Sequence, residues 1–222
     1  MPVDAEVLHQ IPLFASLSVE ERSHIAAMAV ERHYERGDVI LLEGEMGGAL
    51  CYVHVGLVKI FKTSLEGREQ VLRLIANGHT FNDVPAFDGG PNPASAAAME
   101  PSVVYMIRRA DVRTLILTKP AVAEAVVLTL ANALRHLVVL VEDLSLRHVA
   151  ARVAKILLDQ AAAQAGHHPY HLTQQEMAAL AGTAREVVGR ALKELEVAGA
   201  IEMRQGRAIV LNPERLRMMT SS

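Results

Sequence analysis

The sequence has a single cysteine, no excess of positive charge and no signal-like start. With Cys51 alone, no disulfide can form within the chain, which fits a reducing compartment such as the cytoplasm. The net charge is -3, so any nucleic-acid binding has to depend on local charge. That charge is uneven, because residues 1–144 are acidic and residues 145–222 are mildly basic. The first ten residues, MPVDAEVLHQ, lack the basic region and apolar core of a signal peptide.

Motifs of several enzyme classes are also absent. The metal motif of cupins needs two histidines one residue apart, and the residue two after His54 is a glycine. No G-x-S-x-G, phosphate-loop or H-E-x-x-H pattern occurs. Three histidines, His167, His168 and His171, cluster without cysteines, so they predict a solvated linker and no metal site. We therefore predict that the chain is not an enzyme.

The first half of the chain has the pattern of a β structure. Between residues 30 and 107, glycines separate strand-length segments such as DVILLE, LCYVHVG, LVKIFKT and EQVLRLIA. Strands at this spacing predict an antiparallel sandwich or barrel. A helix from Leu17 to Met28, with Ser18 as its cap, is expected before it, and a short helix over residues 110–117 closes it.

Residues 121–146 predict one long helix with a heptad repeat. Its apolar positions alternate in steps of three and four: Val127, Leu130, Leu134, Leu137, Val141 and Leu144. That spacing favours a dimer seam, and the alternative is a core helix lying on the barrel. Glu124, Asn132, Arg135 and His136 interrupt the apolar run, so we do not expect a membrane span.

Two capping boxes mark a pair of short helices near the C-terminus. Thr173 with Glu176 opens the first helix, and Thr183 with Glu186 is predicted to open the second. Gly182 between them permits a tight turn.

A hairpin is predicted after these two helices. The segments AIEMR and RAIVLN flank Gln205–Gly206, a typical hairpin turn. Residues 147–163 predict a basic helix in front of the pair. Together these elements predict a winged helix-turn-helix.

The second short helix carries a charged face. At about 100° per residue, Arg185, Glu186, Arg190 and Lys193 share one side, and Gly189 leaves room for close approach. Arginine can pair with guanine and glutamate with cytosine in the major groove, whereas the plainer alternative is a solvated face. The start of the first helix can contact phosphate. The candidate DNA contacts are Arg185, Glu186, Gly189, Arg190, Lys193, Thr173, Gln174 and Thr183.

The C-terminal segment LTQQEMAALAGTAREVVGRALKELEVAGAI and its hairpin resemble the DNA-binding domain of the bacterial cyclic-AMP receptor protein/fumarate–nitrate regulator (Crp/Fnr) family. RGDVILLEGE and Y-V-x-x-G-x-V-K-I resemble that family's cyclic-nucleotide-binding jelly roll. The resemblance implies an α+β fold with a sensing barrel (1–120), a coiled-coil dimerisation helix (121–146) and a winged helix-turn-helix (147–222). It also implies a cytoplasmic, homodimeric transcription regulator with double-stranded DNA and RNA polymerase as partners. The R-E-x-x-x-R pattern implies GTGA half-sites in an inverted repeat.

The cyclic-nucleotide pocket departs from the family's pattern. Members that bind cyclic AMP have F-G-E-L and then R-[ST]-A, whereas Asn82, Asp83 and Pro93 stand at the glycine, acid and arginine positions here. Leu137 and Val138, at the positions that would meet adenine, offer no hydrogen bond. We infer that cyclic AMP is not the effector, although another nucleotide stays open. The candidate pocket residues are Leu72, Phe81, Asn82, Asp83, Val84, Pro93, Ala94, Leu134, Leu137 and Val138.

The effector and any cofactor therefore stay open. The pocket either binds haem, binds another metabolite, or is filled by its own side chains in an effector-independent regulator. Candidate haem ligands by residue type are His54, His79, His136, Cys51 and the amine of Pro2, although a lone histidine is more often structural. One cysteine excludes the iron–sulfur mechanism of some members. A ligand carrier with a vestigial winged helix is a third class, and the intact Arg–Glu–Arg face argues against it.

Overall fold

A computed structural model of the chain describes residues 3–165 and 170–220. The chain forms two compact units. The N-terminal unit runs to residue 62 and resumes over residues 73–136. The C-terminal unit comprises residues 63–72 and the chain from residue 137 onwards.

Short helices and eight strands build the N-terminal unit. The helices are α1 (Ala5–His9), α2 (Val19–Met28), α3 (Asp83–Asp88), α4 (Arg109–Thr118) and the first part of α5 (Pro120–Leu146), with a 3-10 turn at Pro12–Phe14. The strands are β1 (Val30–Tyr34), β2 (Val39–Leu41), β3 (Leu50–Val55), β4 (Leu57–Thr63), β5 (Glu69–Ala76), β6 (Thr80–Phe81), β7 (Ser95–Ala98) and β8 (Ser102–Ile107). The last residue of β4 and the first four residues of β5 belong to the C-terminal unit.

These strands form two four-stranded sheets, in the orders β1-β8-β3-β6 and β2-β7-β4-β5. Pairing is antiparallel, for example between β3 and β8 and between β4 and β7. One apolar cluster comprises Cys51, Val53, Val58, Ile75, Phe81, Ala96 and Val104, and it draws residues from strands of both sheets. The predicted antiparallel β architecture is confirmed.

Helix α2 begins at the cap that the sequence predicts. The Ser18 hydroxyl accepts the backbone N–H of Glu21 at 3.3 Å, and the Glu21 carboxylate accepts the N–H of Ser18 at 2.9 Å. Two donors that the first helical turn leaves unpaired are thereby satisfied. A second apolar cluster packs this helix, through Ile25 and Ala26, with the outer side of β3 and β8.

The C-terminal unit contains a helical core and a two-stranded wing. Its elements are the end of α5, α6 (Val149–Ala165), α7 (Gln174–Ala181), α8 (Arg185–Val197), β9 (Ile201–Arg204), β10 (Arg207–Val210) and α9 (Pro213–Met219). Helix α6 packs against α7, α8 and α9. The fully buried side chains include Leu157, Leu192, Leu195, Ile201 and Leu216.

The predicted hairpin is confirmed as β9 and β10, which pair antiparallel. Its loop is Gln205–Gly206, with φ of +48° and +77°. Positive φ at both central residues is typical of a two-residue type I′ turn, which glycine accommodates easily. With α7 and α8, this wing completes the predicted winged helix-turn-helix.

The prediction that a basic helix continues from residue 147 is wrong in one respect. Helix α5 ends at Leu146 and α6 begins at Val149, so Arg147 and His148 lie in a break. Arg152 on α6 donates to the carbonyl oxygens of Arg147 at 2.7 Å and Asp143 at 3.4 Å. These bonds satisfy carbonyls that the end of α5 leaves unpaired, which compensates for the interrupted helix.

Candidate DNA-binding and effector sites

Helix α8 is amphipathic, with a buried side and a charged side. Val188, Ala191, Leu192 and Leu195 are buried against the unit. Arg185, Glu186, Arg190 and Lys193 are exposed, and we call these four residues the recognition face. Within the described part of the chain, their charged groups are in no hydrogen bond or salt bridge. The recognition face therefore presents free donors and a free acceptor to solvent.

The start of α7 lies close to the middle of α8. A Cβ built on Gly189 would lie 3.7 Å from the side-chain oxygen of Gln174, which is ordinary van der Waals contact. Gly189 itself is half-buried. Of the predicted DNA contacts, Gln174 and Gly189 are thus brought together beside the recognition face.

Thr173 closes the first predicted capping box. Its hydroxyl accepts the N–H of Glu176 at 3.2 Å, and its own N–H donates to the Glu176 carboxylate at 2.7 Å. The hydroxyl proton of Thr173 is not used in this bond, so it can still donate to a phosphate oxygen. At the other end of α7, Gly182 adopts the left-handed conformation with φ +62° and ends the helix.

We expect Thr173→Ala to weaken the first turn of α7, because the alanine cannot accept the N–H of Glu176. A lost cap costs about 1 kcal/mol, which corresponds to roughly fivefold faster amide exchange in that turn. Hydrogen exchange followed by NMR measures this directly. Thr173→Ser keeps the acceptor and should exchange like the parent, as should α8 in every variant. Equal exchange of α7 in Thr173→Ala and the parent would contradict the capping assignment.

The second predicted capping box is not formed, so that prediction is wrong. Ala184, not Thr183, is the N-cap of α8, and no side chain bonds to the free N–H groups there. Thr183 instead donates its backbone N–H to the carbonyl of Ala178, as part of the turn. Because Glu186 is not held by a cap, its carboxylate is available to a ligand at the recognition face.

Helix α5 carries an unusually exposed apolar surface. Only Val122 and Val126 are buried among its residues. All six predicted seam positions are exposed in the single chain: Val127 65%, Leu130 39%, Leu134 63%, Leu137 47%, Val141 62% and Leu144 36%. By length and composition the helix is also long and apolar enough to cross a membrane, with 6% of the apolar window buried. One such helix is weak evidence for a span, and its heptad repeat predicts a helical partner.

The segment around Asn82 has the geometry of a tight turn into α3. Asn82 is left-handed, with φ +61°, and its side-chain amide donates to the carbonyl of Ala49 at 3.0 Å. Asp83 follows as the first residue of α3, and its carboxylate accepts the Thr80 hydroxyl at 2.8 Å. Burial raises the pKa of Asp83, against the Thr80 hydrogen bond and the positive charge of Arg73, which lower it.

The other predicted pocket residues are spread across the two units. Phe81 is buried in the apolar cluster between the sheets, whereas Val84 is exposed. Leu134 belongs to the N-terminal unit. The C-terminal unit contains Leu72, Leu137 and Val138.

The segment around Pro93, where cyclic-AMP-binding members have an arginine, contains no lysine or arginine. Pro93 is exposed and Ala94 is buried. The ammonium group of Lys62 donates to the Pro93 carbonyl at 3.2 Å, and it is also paired with the Glu43 carboxylate. Among the described residues, the cation bonded to the Pro93 carbonyl is thus already paired with an acid.

Two of the described candidates for haem ligation, Cys51 and His54, do not fit that group. Cys51 is fully buried, its thiol donates to the Ala49 carbonyl, and burial strongly raises its pKa away from the thiolate that binds iron. His54 lies on the other side of β3, where its ring stacks on Tyr105 at 4.7 Å. His79 and His136 are exposed.

Two predicted features fall outside the described residues, namely Pro2 and the histidines His167 and His168. The third linker histidine, His171, is exposed. Among residues 3–165 and 170–220, no three His, Cys, Asp or Glu side chains are grouped as metal ligands.

Comparison with known proteins finds one matching domain model in the N-terminal part of the chain and another in the C-terminal part. A cyclic nucleotide-binding domain model matches residues 31–119, and a Crp-like helix-turn-helix domain model matches residues 151–219. The cyclic AMP receptor protein of Thermus thermophilus is 35% identical over 196 residues, which cover 88% of this chain and 90% of that protein. A CRP-like cAMP-activated global transcriptional regulator of Mycobacterium tuberculosis is 31% identical over 220 residues, covering 95% and 97%.

Solved structures show the same fold. FixK2 from Bradyrhizobium japonicum superposes with a TM-score of 0.77 at 23% identity, covering 87% of this chain and 98% of that one. The two matched domain models follow one another along the chain in the order that the sequence predicts. The chain belongs to the Crp/Fnr family of transcription regulators.

Proposed function

We propose that the chain acts in the cytoplasm as a homodimer that reads an inverted repeat of GTGA-type half-sites without requiring cyclic AMP. The observation that carries this proposal is the recognition face, whose charged groups are exposed and have no partner in the described part of the chain. RNA polymerase is the further partner that the family resemblance implies. The proposed working parts are a sensing barrel (1–120), a dimerisation helix (121–146) and a DNA-binding domain (147–222).

The chemistry of the recognition face supports readout of G·C pairs. Arg185 and Arg190 can each donate two hydrogen bonds to O6 and N7 of guanine, and Glu186 can accept from N4 of cytosine. The apolar side of α8 is fixed by buried side chains, so the charged side keeps a defined direction. Thr173, Gln174 and the free N–H groups at the starts of the two helices supply phosphate contacts that set the register.

The exposed strip on α5 supports a dimer. Six apolar side chains spaced as a heptad are exposed in the single chain, and a second copy of the helix would bury them. A two-fold dimer presents two recognition helices to half-sites about one helical turn apart. This geometry accounts for reading an inverted repeat.

The proposed independence from cyclic AMP is based on Asn82 and Pro93, which stand where members that bind cyclic AMP have a glycine and an arginine. The position of the phosphate-binding arginine holds a proline, which has neither charge nor N–H. The cation bonded to that segment, Lys62, is already paired with Glu43. The relatives are named for cyclic AMP, so the experiment must include that ligand.

A fluorescence anisotropy titration tests the proposal. Purified protein is titrated into a labelled GTGA palindrome and a scrambled duplex at physiological salt, with and without cyclic AMP, after a visible absorption spectrum. We expect selective binding to the palindrome by about 10³-fold or more without cyclic AMP, and no Soret band. Selectivity that appears only with cyclic AMP would overturn the independence from that ligand. Equal binding to both duplexes in every state would overturn the assignment of the recognition face.

A further inference from the structure

Strand β5 directs a cation toward the space between the sheets. Side chains alternate along a strand, so Arg73 lies on the same face as Ile75, two residues later. Ile75 is 1% exposed and belongs to the apolar cluster between the two sheets. Arg73 itself is half-buried. Its guanidinium group is therefore on the inner face of the barrel, near the end of an apolar region.

The same guanidinium group lies within electrostatic range of Asp83. Burial raises the pKa of that carboxyl group, and the positive charge of Arg73 acts in the opposite direction. Asp83 already accepts the Thr80 hydroxyl at 2.8 Å and forms no salt bridge with Arg73. Arg73 thus shares the region of the predicted effector pocket without being bonded to its acid.

Arg73 has no hydrogen bond or salt bridge to any described residue. Two nearby cations are paired: Lys62 on β4 with Glu43, and Arg68, in the turn before β5, with Glu66. A guanidinium group has five N–H donors, and partial removal from water without an acceptor is unfavourable. A ligand that supplies acceptor oxygens would satisfy it.

Short side chains line another part of the same interior. Strand β7, in the same sheet as β5, contributes only serine and alanine side chains over Ser95–Ala98. Ala96 lies in the apolar cluster together with Ile75. These short side chains occupy less of the interior than larger apolar residues would.

We propose that Arg73 anchors a small oxyanion, a carboxylate or a phosphate, inside the N-terminal barrel. The anchor comes from β5 and not from the segment that contains Pro93. Guanidinium binds both anions through paired N–H···O bonds, and the bonds are stronger in a partly dehydrated site. This inference rests on the proposed function only in taking the barrel as the sensing domain.

Calorimetric titration of the full chain with inorganic phosphate and with succinate tests the proposal, at constant ionic strength set with sodium chloride. We expect one of the two probes to bind the parent protein and Arg68→Gln, which removes an exposed arginine of the same hairpin. In Arg73→Gln the affinity should fall at least tenfold. Phosphate binding without succinate binding identifies a phosphate site, and the converse identifies a carboxylate site. Arg185→Ala must keep the signal, because a signal lost there would place the anion at the recognition face and overturn the proposal.

Two further measurements keep the result interpretable. Circular dichroism and the GTGA titration on Arg73→Gln show that this variant is folded and still binds DNA. Equal binding of the probe by Arg73→Gln and Arg68→Gln, or no binding of either probe by the parent, would contradict the anion site. Failure of GTGA selectivity in the parent would instead contradict the proposed function and leave the anion titration unaffected.

Discussion

Replacing Leu137 by glutamate is expected to convert the protein into a monomer and to abolish tight binding to the palindrome. Leu137 is 47% exposed in the single chain and lies in the middle of the heptad strip. In a two-fold dimer, two glutamates would face each other across an apolar seam, where their charges repel and lose water. A monomer binds one half-site at a time, so the affinity for the palindrome should fall about 10²–10⁴-fold. Analytical ultracentrifugation and the anisotropy titration measure the two effects.

Leu128→Glu is the matched control for this change. Leu128 is also exposed, at 58%, but nine residues separate it from Leu137, which places it about half a turn around the helix. We expect Leu128→Glu to sediment as a dimer and to keep its DNA affinity. A dimer in Leu137→Glu, or an equal loss in both variants, would show that the partner of α5 does not lie along the heptad strip.

Arg185→Ala and Arg190→Ala are expected to remove discrimination at one base pair each. Each substitution deletes a pair of hydrogen bonds to a guanine, which should cost about 1–3 kcal/mol per half-site. The loss should be confined to the specific sequence, because the scrambled duplex offers no matched guanine at that position. Titrations against palindromes that vary one base pair at a time identify the position each arginine reads.

Arg217→Ala provides a control of equal charge. Arg217 is exposed on α9, outside the recognition helix, and its removal also lowers the net charge by one. We expect it to weaken specific and scrambled binding alike, if at all, with the loss restored at lower salt. Should Arg185→Ala behave in the same way as Arg217→Ala, the arginine contacts phosphate and reads no base.

Much of the fold follows from local patterns in the sequence. The heptad repeat predicts a helix over 121–146, and α5 is found over Pro120–Leu146, with the proline as its first residue. The strands of the barrel follow from short apolar segments between glycines, and the wing follows from Gln205–Gly206. In each case the decisive interactions are between residues close together in the chain.

The features that the sequence did not predict depend on residues far apart or on one-residue shifts. The break at Arg147–His148 depends on Arg152, whose side chain reaches back to the end of α5. Thr183 matches a capping box, yet α8 begins one residue too late for it to serve as the cap. Arg73 lies ten residues before Asp83 in the sequence, and the relation between the two requires the packed barrel. In the sequence, the position of Arg73 is indicated only by the alternation of side chains along β5, which places it on the same face as Ile75.

The burial of the only cysteine gives the protein a chemical reporter of barrel opening. Cys51 is enclosed between the sheets, and burial holds the pKa of its thiol far above its ordinary value. Alkylating reagents attack the thiolate, so modification of the native protein must wait until the strands separate and water enters. The rate of alkylation of Cys51 by iodoacetamide therefore measures how often the barrel opens, and no residue has to be engineered for this measurement. A ligand that binds inside the barrel and stabilises it should lower this rate of alkylation, whether or not DNA is present.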